Sequence, residues 1–231
     1  AASDVYKRQL YDDDTDPYNE KKGQQEHLLV QQESSWVRRW VWLCIASGIV
    51  LVLLAPNLPA KILIAVFLFL AWAYSAKPLR FKAKPAIDAI SNVHYAVIGF
   101  AGYAMLSGDW PPIWAVVAAW CWTAAMHIFS AIPDIDADSQ ANLQTTAVVL
   151  GQKAALALCT GLWMITFVAL FVGDFWLPWS ALLAVVYPII SASLLGQPIT
   201  VIRKVYWYFP FINALVGLVL FWVITISKFH A

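Results

Sequence analysis

Apolar runs occupy most of this 231-residue chain, and charge is confined to the segments between them. A helix that crosses a bilayer needs roughly 20 apolar residues. Seven runs approach or reach that length: Trp36–Pro56, Pro59–Tyr74, Ile90–Leu106, Ile113–Ile132, Ala154–Val172, Trp176–Leu195 and Tyr206–Ile226, the second and third being short. Hydrophobic residues make up 61% of the chain and charged residues 13%. A soluble domain carries charge on about 25% of its residues. The pattern predicts an all-α, polytopic transmembrane helical bundle with seven spans. Pro and Gly mark the turns, at Pro56-Asn57-Leu58-Pro59, Gly108-Asp109-Trp110-Pro111-Pro112, Gly173-Asp174 and Gly196-Gln197-Pro198.

The segments between runs alternate in charge. One set carries Lys21, Lys22, Arg38 and Arg39, then Lys77, Arg80, Lys82 and Lys84, then Lys153, then Arg203 and Lys204. The other set is short, with Lys61 almost its only basic residue. Basic loops stay in the cytoplasm, so the first set is expected there. The chain then reads as a multi-pass integral membrane protein, expected in a bacterial or archaeal plasma membrane. Net charge is only +1 and argues neither for nor against nucleic acid, but no basic surface interleaved with aromatics appears, which argues against it as a partner. Nothing in the sequence calls for an obligate protein partner. Cys44, Cys121 and Cys159 all lie inside apolar runs without a CxxC pair, and read as small core residues.

Two Asp pairs break the apolar pattern with the same spacing. Asp12 and Asp16 lie in Leu-Tyr-Asp-Asp-Asp-Thr-Asp-Pro-Tyr-Asn, and Asp134 and Asp138 in Ile-Pro-Asp-Ile-Asp-Ala-Asp-Ser. On a helix, residues i and i+4 share a face, so each pair can present two carboxylates to one point. Carboxylates in apolar surroundings resist ionisation unless something compensates their charge. Magnesium does so: it takes carboxylate oxygens and bridges to phosphate oxygens. Both pairs fall on the side assigned to the basic loops. Between them lies Tyr74-Ser75-Ala76-Lys77-Pro78-Leu79-Arg80-Phe81-Lys82. There Arg80 offers a fork of donors, and Lys77 and Lys82 offer point charges. Metal, cationic clamp and an apolar tunnel rich in aromatic faces suit the departure of pyrophosphate and the shielding of an allylic cation. Asp13, Asp14 and Asp136 read as solvated neighbours. Asp88 reads equally as a helix cap or a site residue. His94 and His127 read as hydrogen-bonded core histidines, and Asn92 and Asn213 as bonds between helices.

Residues 4–9, Asp-Val-Tyr-Lys-Arg-Gln, match one reading frame of a transposon-end sequencing adaptor. On that reading residues 1–9 are foreign, the genuine protein begins near Leu10, and helices ahead of the first Asp pair are missing.

These motifs together resemble the UbiA-type intramembrane prenyltransferases. That family pairs N-D-x-x-D-x-x-x-D with a second D-x-x-x-D, on cytoplasmic loops of a nine-helix bundle. Asp12 and Asp16 match the last two Asp of the first motif, followed by Asn19, Lys21, Lys22 and Gly23. Asp134 and Asp138 match the second, with the family's Thr-Thr-Ala-Val-Val-Leu-Gly tail at 145–151. Tyr74, Ser75, Arg80 and Lys82 match its Y-S-x-x-P-x-R-x-K loop. The similarity runs from about Leu10 to the C-terminus. It implies a membrane domain over residues 10–231 that transfers a prenyl group from an allylic diphosphate, dimethylallyl or longer, to a lipophilic acceptor. It implies Mg²⁺ as cofactor, with Asp12, Asp16, Asp134 and Asp138 as metal-binding catalytic residues. Tyr74, Lys77, Arg80, Lys82 and Asn19 are the diphosphate-binding residues it implies. The family's Asn-Asp would fall at Arg8-Gln9, inside the adaptor-like segment. The first metal site is then incomplete, and turnover is expected of the longer parent rather than of this chain. Residues 80–88, 91–92, 125–135 and 205–210 further resemble the carotenoid branch, the lycopene elongases that lead to C50 carotenoids.

Other acceptors stay open, namely an aromatic ring of quinone biosynthesis or a chlorin. A different class also stays open: an ion-coupled transporter, which likewise places carboxylates in a membrane, although no internal repeat is visible. An alcohol phosphotransferase lacks its D-G-x-x-A-R element here, and a non-catalytic scaffold would have no use for two intact pairs.

Overall fold

The computed structural model describes residues 34–173 and 181–229. The Asp12–Asn19 motif lies outside these, as do the first residues of the run that starts at Trp176. Among the described residues the chain is helical with no strand. Helices α1 (Ser34–Leu54) and α2 (Leu58–Ala73) form the first hairpin. A 3₁₀ turn at Phe81–Ala83 leads to α3 (Ile87–Ile90), a second 3₁₀ turn at Ser91–Val93, and α4 (His94–Ser107). Then come α5 (Ile113–Ala131), a 3₁₀ turn at Ile132–Asp134 and α6 (Ile135–Gln140). The chain continues through α7 (Thr146–Gly173), a 3₁₀ turn at Leu182–Val185 that runs into α8 (Val186–Ser193), and α9 (Ile199–Phe229).

Five of these segments are long and apolar enough to cross a bilayer: 35–54, 87–107, 113–140, 146–173 and 199–222. Leu58–Ala73 and Leu182–Ser193 are shorter apolar helices. These seven correspond to the seven apolar runs. The exterior agrees with a lipid surround, since Leu54 is 75% exposed and Phe211 73%. A soluble bundle does not leave so much large apolar surface open to water.

Two helices begin earlier than hydropathy suggests. Helix α7 starts at Thr146 rather than Ala154, and α9 at Ile199 rather than Tyr206. Gln152 and Lys153 dilute the first start, and Arg203 and Lys204 the second. Hydropathy measures the length that lipid covers. A helix can continue past it, because Lys and Arg near its end reach out to the interface.

Two packing centres hold the bundle. Helices α5, α7, α8 and α9 meet at an aromatic core of Phe129, Trp163, Tyr187 and Phe209, all 3% exposed or less. Phe129 and Phe209 have ring centroids 4.5 Å apart, and Trp163 stacks on Phe209 at 5.9 Å. Tyr187 donates its hydroxyl to Asn213 Oδ1 at 2.9 Å, which ties α8 to α9. The α1–α2–α4 centre instead uses Ala55, Ala60, Ile64, Ala101 and Ala104. Small residues let helix backbones approach closely where lipid offers no hydrophobic drive to associate. Gly48 belongs to the same contact, since a Cβ there would meet Leu68 Cδ2 at 2.6 Å. Cys159 is buried as expected, but Cys44 lies on the exposed face of α1.

Hydrogen bonds mark the two ends of the bundle. At one end Asn57 Nδ2 donates to Ala104 O at 2.7 Å, which joins the α1–α2 turn to α4. At the other, Ala86 N donates to Thr146 Oγ1 at 2.8 Å, and Gln152 Nε2 to Gln197 O at 2.7 Å. The basic 74–86 loop, the second Asp motif and the turn before α9 therefore share one end.

Candidate active site

This end is organised around a buried carboxylate. Asp88 is fully buried, in the short helix α3. Its Oδ1 accepts from the Ala89 N–H at 2.8 Å and from the Thr146 hydroxyl. Its Oδ2 accepts from the Thr146 N–H at 2.7 Å. Thr146 opens α7, so Asp88 supplies an acceptor and a negative charge to another helix's N-terminus. The Asp88 carbonyl in turn accepts from Asn92 Nδ2 at 2.6 Å and from the Ser91 hydroxyl at 3.3 Å. Asn92 thus closes a local turn rather than bridging helices.

The Thr145–Gly151 tail acquires a physical meaning here. The Thr145 hydroxyl accepts from Val148 N at 3.3 Å, which caps the new helix. Thr146 fastens it to Asp88. Gly151 then kinks α7 with φ 71 and ψ 166, a conformation open essentially to glycine alone. A short first turn can therefore lie against the 74–86 loop while the rest of α7 runs into the bundle.

The second Asp motif sits where α5 ends. Asp134 closes the 3₁₀ turn, and Asp138 lies in the first turn of α6. Both are half-buried, whereas Asp136 between them is exposed. The alternation is what a helical i, i+4 pair gives: two carboxylates turned to the bundle and the intervening one to water. Arg203 Nη2 reaches Pro133 O at 3.4 Å, so α9 braces the motif. Tyr206, one turn along α9, lies within electrostatic reach of Asp134.

The cationic loop follows α2. Arg80 has φ 40 and ψ 58, a left-handed conformation that costs a residue with a Cβ about 1–2 kcal/mol. Its backbone is held on both sides, with Arg80 N donating to Ala76 O at 2.8 Å and Ala83 N to Arg80 O at 3.0 Å. Arg80 and Lys82 are half-buried, whereas Lys77 is exposed. Tyr74 N–H donates to Leu70 O at 3.0 Å, and the Tyr74 carbonyl accepts from Lys82 N at 3.1 Å, which folds the loop back on its own start.

Of the nine site residues expected from sequence, the structure places Tyr74, Lys77, Arg80, Lys82, Asp134 and Asp138 at this end. Asp12, Asp16 and Asn19 lie outside the described residues. Among the described residues no group of three or more His, Cys, Asp or Glu forms a metal cluster by itself. Two half-buried carboxylates are hard oxygen donors that suit Mg²⁺ as part of a shared set. His94 is buried, with Nδ1 2.9 Å from Ser91 O, as a satisfied histidine should be. His127 differs. Its Nε2 is buried without a hydrogen bond, 3.6 Å from Asp88 Oδ2.

Residues 9–210 match the model of the UbiA prenyltransferase family. The chain belongs to the UbiA prenyltransferase family. It is a prenyltransferase and an integral membrane protein by that membership. Among curated relatives, the "Lycopene elongase/hydratase" of Haloarcula japonica is 38% identical over 91% of this chain and 69% of its own length. The protein of the same description from Haloferax volcanii is 39% identical over 91% of this chain and 68% of its own. Among solved structures, a UbiA homolog from Archaeoglobus fulgidus bound to DMAPP and Mg²⁺ superposes with a TM-score of 0.68. It shares 26% identity and covers 97% of this chain and 83% of its own. The same homolog bound to GPP and Mg²⁺ gives 0.67 at 25% identity.

Proposed function

We propose that this UbiA-family protein transfers a prenyl group, in a Mg²⁺-dependent reaction, from dimethylallyl or a longer allylic diphosphate to a carotenoid acceptor such as lycopene. The observation that carries the chemistry is the meeting at one bundle end of the half-buried Asp134 and Asp138 with the loop of Arg80 and Lys82. The description of the haloarchaeal relatives, 38–39% identical over 91% of the chain, supports the acceptor. The GPP, DMAPP and Mg²⁺ bound by the Archaeoglobus homolog support the donor and the metal.

Asp134 and Asp138, with Asp12 and Asp16 from the first motif, would supply the oxygens for Mg²⁺. When bound, the metal neutralises charge that builds on the leaving diphosphate. The chain's own part is to hold and shield. The Arg80 guanidinium forks onto phosphate oxygens, and Lys82 adds a point charge. The Tyr74 hydroxyl and Asn19 amide offer further donors, and Lys77, exposed, draws the anion in by charge alone. Helices around the site exclude water, so the allylic cation meets the acceptor double bond first. The positive-inside pattern puts this end in the cytoplasm.

The test is expression of the complete gene product in lycopene-producing cells. Carotenoids heavier by five-carbon units are expected. Prenylated quinone precursors or chlorins in their place would overturn the acceptor, and no prenylated product of any kind would overturn the reaction.

A further inference from the structure

Prenyl transfer to a hydrocarbon releases a proton as well as diphosphate. The C–O bond of the donor breaks and its electron pair leaves with diphosphate. The acceptor π electrons form the new C–C bond, and the charge moves to the neighbouring acceptor carbon. That cation collapses when an adjacent C–H bond gives its electrons to a new C=C, or when water forms a C–O bond. Either route releases one proton, and a base must take it.

We propose that His127, held by Asp88, is that base. This rests on the prenyl-transfer reading above. His127 lies on α5, seven residues before Asp134, close to the same helix face. At about 1.5 Å per residue it stands roughly 10 Å along α5 from Asp134. It sits beside Tyr74 of the loop read as binding the diphosphate, so a prenyl unit on a diphosphate held there lies next to it. Its side chain is 15% exposed, which leaves one side of the ring open. The groups shown against it come from two elements: Asp88 of α3, itself held by Thr146, and Tyr74 after α2. The Tyr74 ring lies edge-on to it at 6.1 Å.

The pairing gives each nitrogen a role. Nε2 faces Asp88 Oδ2 at 3.6 Å, so it carries its hydrogen toward a carboxylate and leaves the Nδ1 lone pair basic. Three donors from Ala89 and Thr146 hold Asp88 charged and fixed. A buried carboxylate beside the ring stabilises the imidazolium that forms, as a base and its orienting acid do in general acid–base sites. Asp88 is the positioning residue, since it acts through His127.

The experiment reads coupling, the amount of prenylated carotenoid formed per diphosphate released, in membranes that contain the complete gene product. His127→Gln keeps size and polarity without a base, and coupling is expected to fall at least tenfold. His127→Ala is expected to lose it likewise and to recover several-fold with added imidazole, which a structural role would not permit. Asp88→Asn, which keeps His127 in place, is expected to lower coupling in the same direction. Thermal unfolding in detergent identifies which variants fold. Unchanged coupling in any folded His127 variant overturns the proposal and leaves the diphosphate itself as proton acceptor. Absence of prenylated product in the wild type would instead defeat the prenyl-transfer reading.

Discussion

The Thr146 N–H donates to Asp88 Oδ2 at 2.7 Å across 58 residues of sequence. With the Thr146 hydroxyl on the other oxygen, this contact locks α3 to the start of α7. Thr146→Val should remove two hydrogen bonds, one of them to a charged group, and cost about 2–3 kcal/mol. Thr146→Ser should keep most of it. Thermal unfolding in detergent measures both.

Asp134 and Asp138 are expected to be indispensable. Asp134→Ala or Asp138→Ala should abolish prenyl transfer in the complete gene product while expression in the membrane is unchanged. Asp136→Ala, at the exposed position between them, should leave transfer within about twofold, because a solvated carboxylate contributes little. Retained turnover in both half-buried variants would remove the metal-site assignment.

Arg80 trades backbone strain for a guanidinium. Arg80→Gly relieves a left-handed φ of 40 and should stabilise the fold by about 1 kcal/mol. It should also lower kcat/KM for the prenyl diphosphate by tenfold or more. Steady-state kinetics and unfolding midpoints on one sample test both halves. A stability gain without a kinetic loss would mean that Arg80 does not bind the diphosphate.

Gly151→Ala should destabilise by about 1–3 kcal/mol, because no L side chain suits φ 71 with ψ 166. Gly217→Ala is the control. It lies in α9 with nothing within 4 Å of an added Cβ, and the change should stabilise by about 0.5–1 kcal/mol, the helix-interior gain of Ala over Gly. The difference between the two unfolding midpoints is the measurement.

Trp163 fills the aromatic core, yet its Nε1 is buried with no hydrogen-bond partner. Trp163→Phe should therefore be close to neutral, since the lost volume is offset by release from an unsatisfied N–H. Trp163→Ala should cost about 3–5 kcal/mol. Unfolding midpoints in detergent again decide.

Much of this was readable in the chain. The spans follow from apolar length, because lipid offers the backbone no hydrogen bonds and a helix satisfies its own. The split between Asp134 and Asp138 on one side and Asp136 on the other follows from helical period. The early starts of α7 and α9 were not readable, because Lys153, Arg203 and Lys204 end the hydropathy signal before the helix ends. Nor was the pairing of Asp88 with Thr146. Asp88 is compatible with a local cap, and no periodicity reports a partner 58 residues away. The same holds for His127, whose helix reads as an ordinary apolar span.

By itself the sequence determined a helical membrane bundle, the end at which its charge gathers, and the residue types available there. Those are local properties, set by transfer energies and by 3.6 residues per turn. Tertiary structure alone decided that Asp88 faces Thr146 and His127, and that Gly151 turns α7 onto the 74–86 loop. Such contacts depend on how helices distant in sequence pack side by side, and a buried carboxylate is tolerated only where that packing brings donors to it.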